Sequence, residues 1–182
     1  LQPSANPCHD WNERVNNECY APNSVSKVVN NKNEIICLVN NYEYMSFNFG
    51  PTLLSWMQQF APLAYERIIK ADMKSVEAHN GHGNAIAQVY NHIIMPLANE
   101  LDKQTQVKWG IRDFETRFGR APEGMWLAET AVDDDTLRVL EENGIKFTIL
   151  SPFQAKAIKK LDENDWQDVS WGNIDPARSY RY

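Results

Sequence analysis

The chain has 182 residues, 43% of them hydrophobic, and a formal net charge of −6 with no basic run. There is enough apolar material for one sizeable core, and the acidic balance excludes a nucleic-acid binder, whose footprint is a cationic patch. No stretch reaches the apolar length that spans a bilayer, so no membrane partner is expected.

Cys8, Cys19 and Cys37 are an odd set without a C-x-x-C pair, which suits idle thiols in a reducing compartment better than a disulfide scaffold. No signal peptide is visible, and the opening Leu1-Gln2-Pro3 has no Met, so cytoplasmic localisation is the expectation. Residues 1–34 are polar and Asn-rich, broken by Pro3, Pro7 and Pro22, with Asp10 able to cap a short helix through Trp11, Val15 and Cys19. Residues 34–39 follow as a buried strand carrying Ile35, Ile36, Leu38 and Val39, and residues 42–49 as a second, aromatic strand.

That second strand runs into Asn48-Phe49-Gly50-Pro51, a strand-to-helix turn. Pro51 opens a helix with Leu53, Leu54 and Met57 on one face, and Pro62 opens another through Ile68 and Ile69 to about Val76. His79-Asn80-Gly81-His82-Gly83-Asn84 is a glycine-rich loop with two histidines, followed by apolar Ala85-Ile86-Ala87 and then Tyr90-Asn91-His92. A long helix is expected over residues 102–118, where Val107, Ile111, Phe114 and Phe118 form one stripe and Gly119 is the stop.

The chain is organised around residues 123–135. The apolar run 125–128 ends in a carboxylate, Glu129; Asp133, Asp134 and Asp135 then precede the helical pattern of Leu137 and Leu140, and residues 147–150 make a second β-rich run. Strand, acidic turn, helix and strand make a βαβ unit, hence a parallel sheet, in which chemistry sits in the loops after the strands' carboxyl ends. Glu129 reads either as a loop residue near a helix N-terminus or as a catalytic carboxylate. Asp133 is the better N-cap, so Glu129 is surplus to the helix start. Asn48 lies on the same edge, either as a turn residue bonding its own backbone or as a site residue. Pro152 opens a last expected helix through Ala155, Ile158 and Leu161, and the chain ends mid-pattern, so a continuation beyond Tyr182 is expected.

Three segments, in order, resemble the catalytic domain of glycoside hydrolase family 57, in its amylase/mannosidase-like branch. They are Ser46-Phe47-Asn48-Phe49-Gly50-Pro51-Thr52-Leu53-Leu54; Gly81-His82-Gly83-Asn84 with Tyr90-Asn91-His92-Ile93-Ile94-Met95-Pro96-Leu97; and Gly124-Met125-Trp126-Leu127-Ala128-Glu129-Thr130-Ala131. The resemblance implies an α/β fold, a distorted (β/α)7 barrel with mainly parallel strands. Residues 1–182 would be an incomplete part of it, the first strand lying before Leu1 and later strands after Tyr182. It also implies retaining cleavage or transfer at the α-glycosidic bonds of α-glucans, with Glu129 as nucleophile, Trp126, His92, His82 and Asn48 in the sugar pocket, and the acid/base aspartate beyond Tyr182. An oligo- or polysaccharide is then the partner, with no cofactor and no metal. Ala128 departs from the proline often found before the nucleophile.

The residue types suit that chemistry: a carboxylate to attack the anomeric carbon, an indole as apolar wall, and imidazole and carboxamide groups for hydroxyls. Two other readings use the same residues. One is a metal-dependent, deacetylase-like hydrolase built on His79, His82 and an acidic residue. The other is a carbohydrate-binding protein that keeps the pocket without turnover.

Overall fold

The computed structural model describes residues 2–182. A 3-10 turn, Pro3–Ala5, leads into α1 (Trp11–Val15), a π-helical turn (Asn16–Tyr20) and α2 (Ala21–Ser24). The Asp10 side chain accepts from the Glu13 N–H and starts this run, as its position in the sequence suggests. β1 (Ser26–Val29) and β2 (Ile35–Val39) form an antiparallel hairpin. Residues 34–39 are therefore a strand, but not a buried one: Ile36 is 62% and Leu38 59% exposed. Consecutive apolar residues on a two-stranded ribbon face both ways, and both faces stay open, since Ile35 is 54% exposed as well.

The expected strand over 42–49 breaks in two. The Asn40 side chain accepts from the Tyr42 N–H and starts a 3-10 turn, Asn41–Glu43, leaving β3 as only Phe47–Asn48. The aromatics serve packing instead, with Tyr42, Phe47 and Phe49 meeting edge-on or tilted at centroid separations of 5.1–5.7 Å.

Next come α3 (Pro51–Phe60), α4 (Pro62–Ala78), β4 (Ala85–Gln88), α5 (Glu100–Phe118), β5 (Met125–Trp126) and α6 (Asp134–Glu142). Their starts and stops follow sequence chemistry. Asn99 caps α5, Gly119 ends it in the left-handed region at φ 69°, and Asp133 caps α6 through the Thr136 N–H. β3, β4 and β5 are parallel in spatial order, and Phe147 extends them by a single parallel bridge to Gly124. The expected strand over 147–150 thus shrinks to one bridge, because the Thr148 hydroxyl, rather than a backbone amide, bonds the Met125 carbonyl.

Two-residue periodicity sorts the sheet. Phe47, Ala85, Ala87 and Met125 share the face buried with Leu54, Met57, Ile68, Val107, Phe114 and Val139 of the helices. Asn48, Ile86, Gln88 and Trp126 share the opposite face.

The expected helix after Pro152 is a single 3-10 turn, Pro152–Gln154, closed by a capping box with Ser151. The chain then pairs β6 (Ala157–Ile158) antiparallel with β7 (Gln167–Asp168). An apolar stripe holds a helix only when it is buried, and Leu161 is 84% exposed.

Candidate functional site

The carboxyl ends of β3, β4 and β5 form one edge of the parallel sheet. On it the structure brings together Asn48 at the end of β3, Trp126 at the end of β5, and the loops carrying His92 and Glu129. The His92 Nε2 and Glu129 Oε1 atoms lie 3.9 Å apart, beyond hydrogen-bond length, and both side chains are open to solvent. His92 and Glu129 each have φ near 54°, as does Thr130 at 55°. Left-handed backbone at a residue other than glycine costs about 1–3 kcal/mol, so two facing residues so held must be held by their surroundings.

The anchors come from other elements of the chain. Ahead of His92, the Gln106 side-chain oxygen accepts from the Asn91 N–H at 2.7 Å, and the Gln106 carbonyl accepts from the Tyr90 N–H at 3.2 Å. Beyond Glu129, the Gln154 carboxamide donates to the Thr130 carbonyl at 2.7 Å, which gives the truncated last helix a purpose. Asp133 is fixed by Lys103, whose ammonium donates to both carboxylate oxygens at 2.8 and 3.1 Å from a side chain only 4% exposed. Desolvation pushes the Asp133 carboxyl up, but Lys103 and Thr136 outweigh it and hold the pKa at about 2. A signal for Gln106 and Lys103 does exist: they sit three residues apart at core positions of the Val107–Phe114 stripe, where apolar residues are the rule.

Gln88, also unanticipated, completes the edge. It ends β4 in register with Trp126, and its Nε2 donates to Asn48 Oδ1.

His82 does not join this group. It precedes β4, at the amino edge of the sheet, and its Nδ1 bonds Glu123 at 2.8 Å, with Lys146 on the other Glu123 oxygen at 2.9 Å. Those two partners hold the Glu123 pKa at about 2, His82 contributing the larger part. The expectation that His82 lines the same pocket as Glu129 is therefore corrected: in a parallel sheet the loops that enter the strands and the loops that leave them lie at opposite ends. His79 ends α4 through its backbone. Among the described residues no group of three or more His, Cys, Asp or Glu is arranged to hold a metal ion. The amino edge is instead a structural lock, in which Arg120 forks onto buried Asp72 at 2.8 and 2.9 Å and also donates to the Ala85 carbonyl.

Two surface concavities lie elsewhere, one of about 770 Å³ among residues 2–13 and one of about 410 Å³ beside Tyr90 and Trp109. The three cysteines are unpaired, Cys19 and Cys37 on the surface. No helix among the described residues is long and apolar enough to cross a membrane.

Comparison with known proteins bears on the fold and the family. Alpha-amylase 1 of Dictyoglomus thermophilum is 24% identical over 106 residues, which is 58% of this chain and 15% of that protein. The crystal structure of 4-alpha-glucanotransferase from Thermococcus litoralis superposes with a TM-score of 0.50 over 67% of this chain and 19% of that one, at 18% identity. The chain thus spans less than a fifth of either relative. The pattern of glycosyl hydrolase family 57 matches residues 9–170, most of the sequence, and the chain belongs to that family.

Proposed function

We propose that residues 1–182 are part of a glycoside hydrolase or glucanotransferase acting on the α-glycosidic bonds of α-glucans, with Glu129 as nucleophile of a retaining double displacement. In this reading they form one section of a distorted (β/α)7 barrel, and the sheet face bearing Asn48, Gln88 and Trp126 looks inward. The observation that carries the reading is the pairing of Glu129 with His92 at 3.9 Å, both in left-handed backbone, on the edge where parallel sheets put their chemistry. The named activities of the two relatives, an amylase and a 4-alpha-glucanotransferase, support the α-glucan as substrate.

The Glu129 carboxylate attacks the anomeric carbon while the bond to the leaving sugar oxygen breaks, and a second carboxylic acid gives that oxygen its proton. Water, or a hydroxyl of another sugar, then attacks the glycosyl ester and passes its proton to that second carboxylate, releasing Glu129. In this reading the second group stands on a strand after Tyr182. His92 and Asn48 offer polar atoms to sugar hydroxyls, and Trp126 an apolar wall.

The test is Glu129→Gln in the full-length enzyme, with mass spectrometry of wild type inactivated by a fluorinated glycosyl fluoride. Near-total loss of turnover with folding intact, and a sugar adduct on Glu129, are expected. More than about a tenth of wild-type kcat in the variant would refute the assignment, since losing a covalent catalyst costs far more than tenfold.

A further inference from the structure

We infer that Gln88 and Asn48 act as one paired-carboxamide clamp for two adjacent hydroxyls of a pyranose, with Gln88 fixing which way the Asn48 amide faces. The inference rests on the reading of this edge as a sugar site.

Both residues end a strand of the parallel sheet on the face that Trp126 shares, away from the helices. A carboxamide carries two N–H donors and one oxygen acceptor. The bond from Gln88 Nε2 to Asn48 Oδ1 uses one donor of Gln88 and one lone pair of Asn48. Among the described residues neither side chain has another partner. Both Asn48 Nδ2 donors, the Gln88 oxygen and the second Gln88 Nε2 donor are therefore left over, with the Asn48 oxygen committed to the pair. A donor beside an acceptor is what neighbouring sugar hydroxyls ask for: one O–H gives its proton to Gln88 Oε1, and the next oxygen accepts from Asn48 Nδ2.

Gly50 is the backbone neighbour of the Gln88 oxygen. Its backbone, at φ −68° and ψ 150°, suits any residue, so conformation does not explain the glycine. A Cβ there would come to 3.0 Å from Gln88 Oε1, tighter than ordinary carbon–oxygen contact. A side chain at this position would crowd Gln88 Oε1 unless the carboxamide moved, and glycine removes that demand. The backbone is fixed from the other side as well, because α5 brings Gly110 against the Gln88 carbonyl, where a Cβ would come within 2.1 Å of it. The clamp is thus mounted on a strand end pinned from behind.

The experiment compares full-length wild type, Gln88→Leu and Gln88→Glu on a maltooligosaccharide and on its monodeoxy analogues at the ring the clamp would hold. Gln88→Leu removes the acceptor and frees the Asn48 amide. Gln88→Glu sets a carboxylate against Asn48 Oδ1 and turns that amide round, so that Asn48 shows its oxygen to the sugar. Each variant should raise KM at least tenfold, change kcat less, and melt as wild type does. On the deoxy analogue that lacks the hydroxyl whose contact a variant removes (the one facing Gln88 for Gln88→Leu, the one facing Asn48 for Gln88→Glu), that variant should lose less than threefold relative to wild type. Unchanged KM in both variants, or an equal loss on the parent and on every deoxy analogue, would overturn the clamp while leaving the glycosidase reading intact. Absence of wild-type turnover and binding on any α-glucan would overturn that reading, and the clamp with it.

Discussion

Replacing Gly110 with Ala should destabilise the protein, although the same change in most helix interiors does the opposite. Gly110 lies inside α5 and is buried. Helix propensity alone would make Ala the better residue by about 0.5–1 kcal/mol. The added Cβ would meet the Gln88 backbone oxygen at 2.1 Å and the Met125 Cε at 3.4 Å. Carbon–oxygen contacts rest near 3.3 Å, so helix and strand must part by about 1.2 Å. Neither neighbour yields easily. The oxygen belongs to the central strand of the sheet, and α5 is held by Val107 and Phe114 in the core. Overpacking costs about 1–3 kcal/mol, and backbone forced against backbone sits at the upper end, about 2–3 kcal/mol, which leaves a net loss of about 1–2 kcal/mol after a propensity gain of up to about 1 kcal/mol. Urea unfolding followed by tryptophan fluorescence measures it. With a slope of about 2 kcal/mol/M, the midpoint should fall by roughly 0.5–1 M at unchanged slope. A midpoint that holds or rises would refute the claim that α5 rests backbone-to-backbone on β4.

The Lys103–Asp133 pair gives an asymmetric and pH-dependent result. Removing the carboxylate strands a buried ammonium and deletes a cap, so Asp133→Ala should cost about 3–5 kcal/mol and Lys103→Met clearly less, read as denaturant midpoints. Asp133 has its pKa lowered from 3.8 to about 2, so its contribution is complete above pH 3.8 and is lost as the pH falls towards 2. Asp133 is a third exposed, which reduces that contribution to about 1 kcal/mol, and Lys103→Met should flatten the acid limb of the stability curve. Trp126 is half-buried, so Trp126→Ala should fall short of the ~3–5 kcal/mol of a core truncation yet abolish the extra melting stability that oligosaccharide confers on wild type. The 182-residue chain alone should not cleave unactivated maltooligosaccharide: Glu123 is at the far edge, and Asp133, Asp134 and Asp135 are bonded to Lys103, Tyr182 and Arg138. Turnover that Glu129→Gln abolishes would place an acid within these residues and refute the proposal.

The parts legible in the sequence are those where local chemistry and burial agree. Asp10 and Asp133 are N-caps, Gly119 is a left-handed stop, and the α5 stripe faces the core at Val107 and Phe114, because spacing of three and four residues must be buried to be of use. Apolar runs overstate the strand content, because such a run is equally consistent with an exposed ribbon, as at Ile35 and Ile36, or with an aromatic cluster, as at Tyr42 and Phe47. Of the candidate site residues, Asn48, Trp126, His92 and Glu129 do meet at one edge. His82 differs from them in preceding the 85–88 strand rather than following one, and in a parallel sheet that order alone puts it at the opposite end. Gln88, Gln106 and Gln154 escape notice because a glutamine's role is decided by the groups it reaches, and two of these three serve loops from other elements.

One helix carries much of the candidate site. Lys103, Gln106 and Gly110 fall at i, i+3 and i+7 of α5, and all three are buried against the sheet side. Lys103 holds the chain four residues past Glu129, Gln106 holds the residue before His92, and Gly110 sets the depth at which α5 meets the end of β4. The two left-handed loops are therefore referenced to a single rigid rod rather than to each other, although their side chains approach to 3.9 Å. Such mounting explains how an exposed glutamate keeps a strained backbone without a buried partner of its own: the strain is offset one helix turn at a time, by a buried ammonium and a buried carboxamide. It also separates two kinds of damage. Displacing α5 moves both loops together and should lower stability before it changes the spacing of His92 and Glu129, whereas cutting the Gln106 or Lys103 tether frees one loop and should reduce kcat beyond what the loss of stability accounts for.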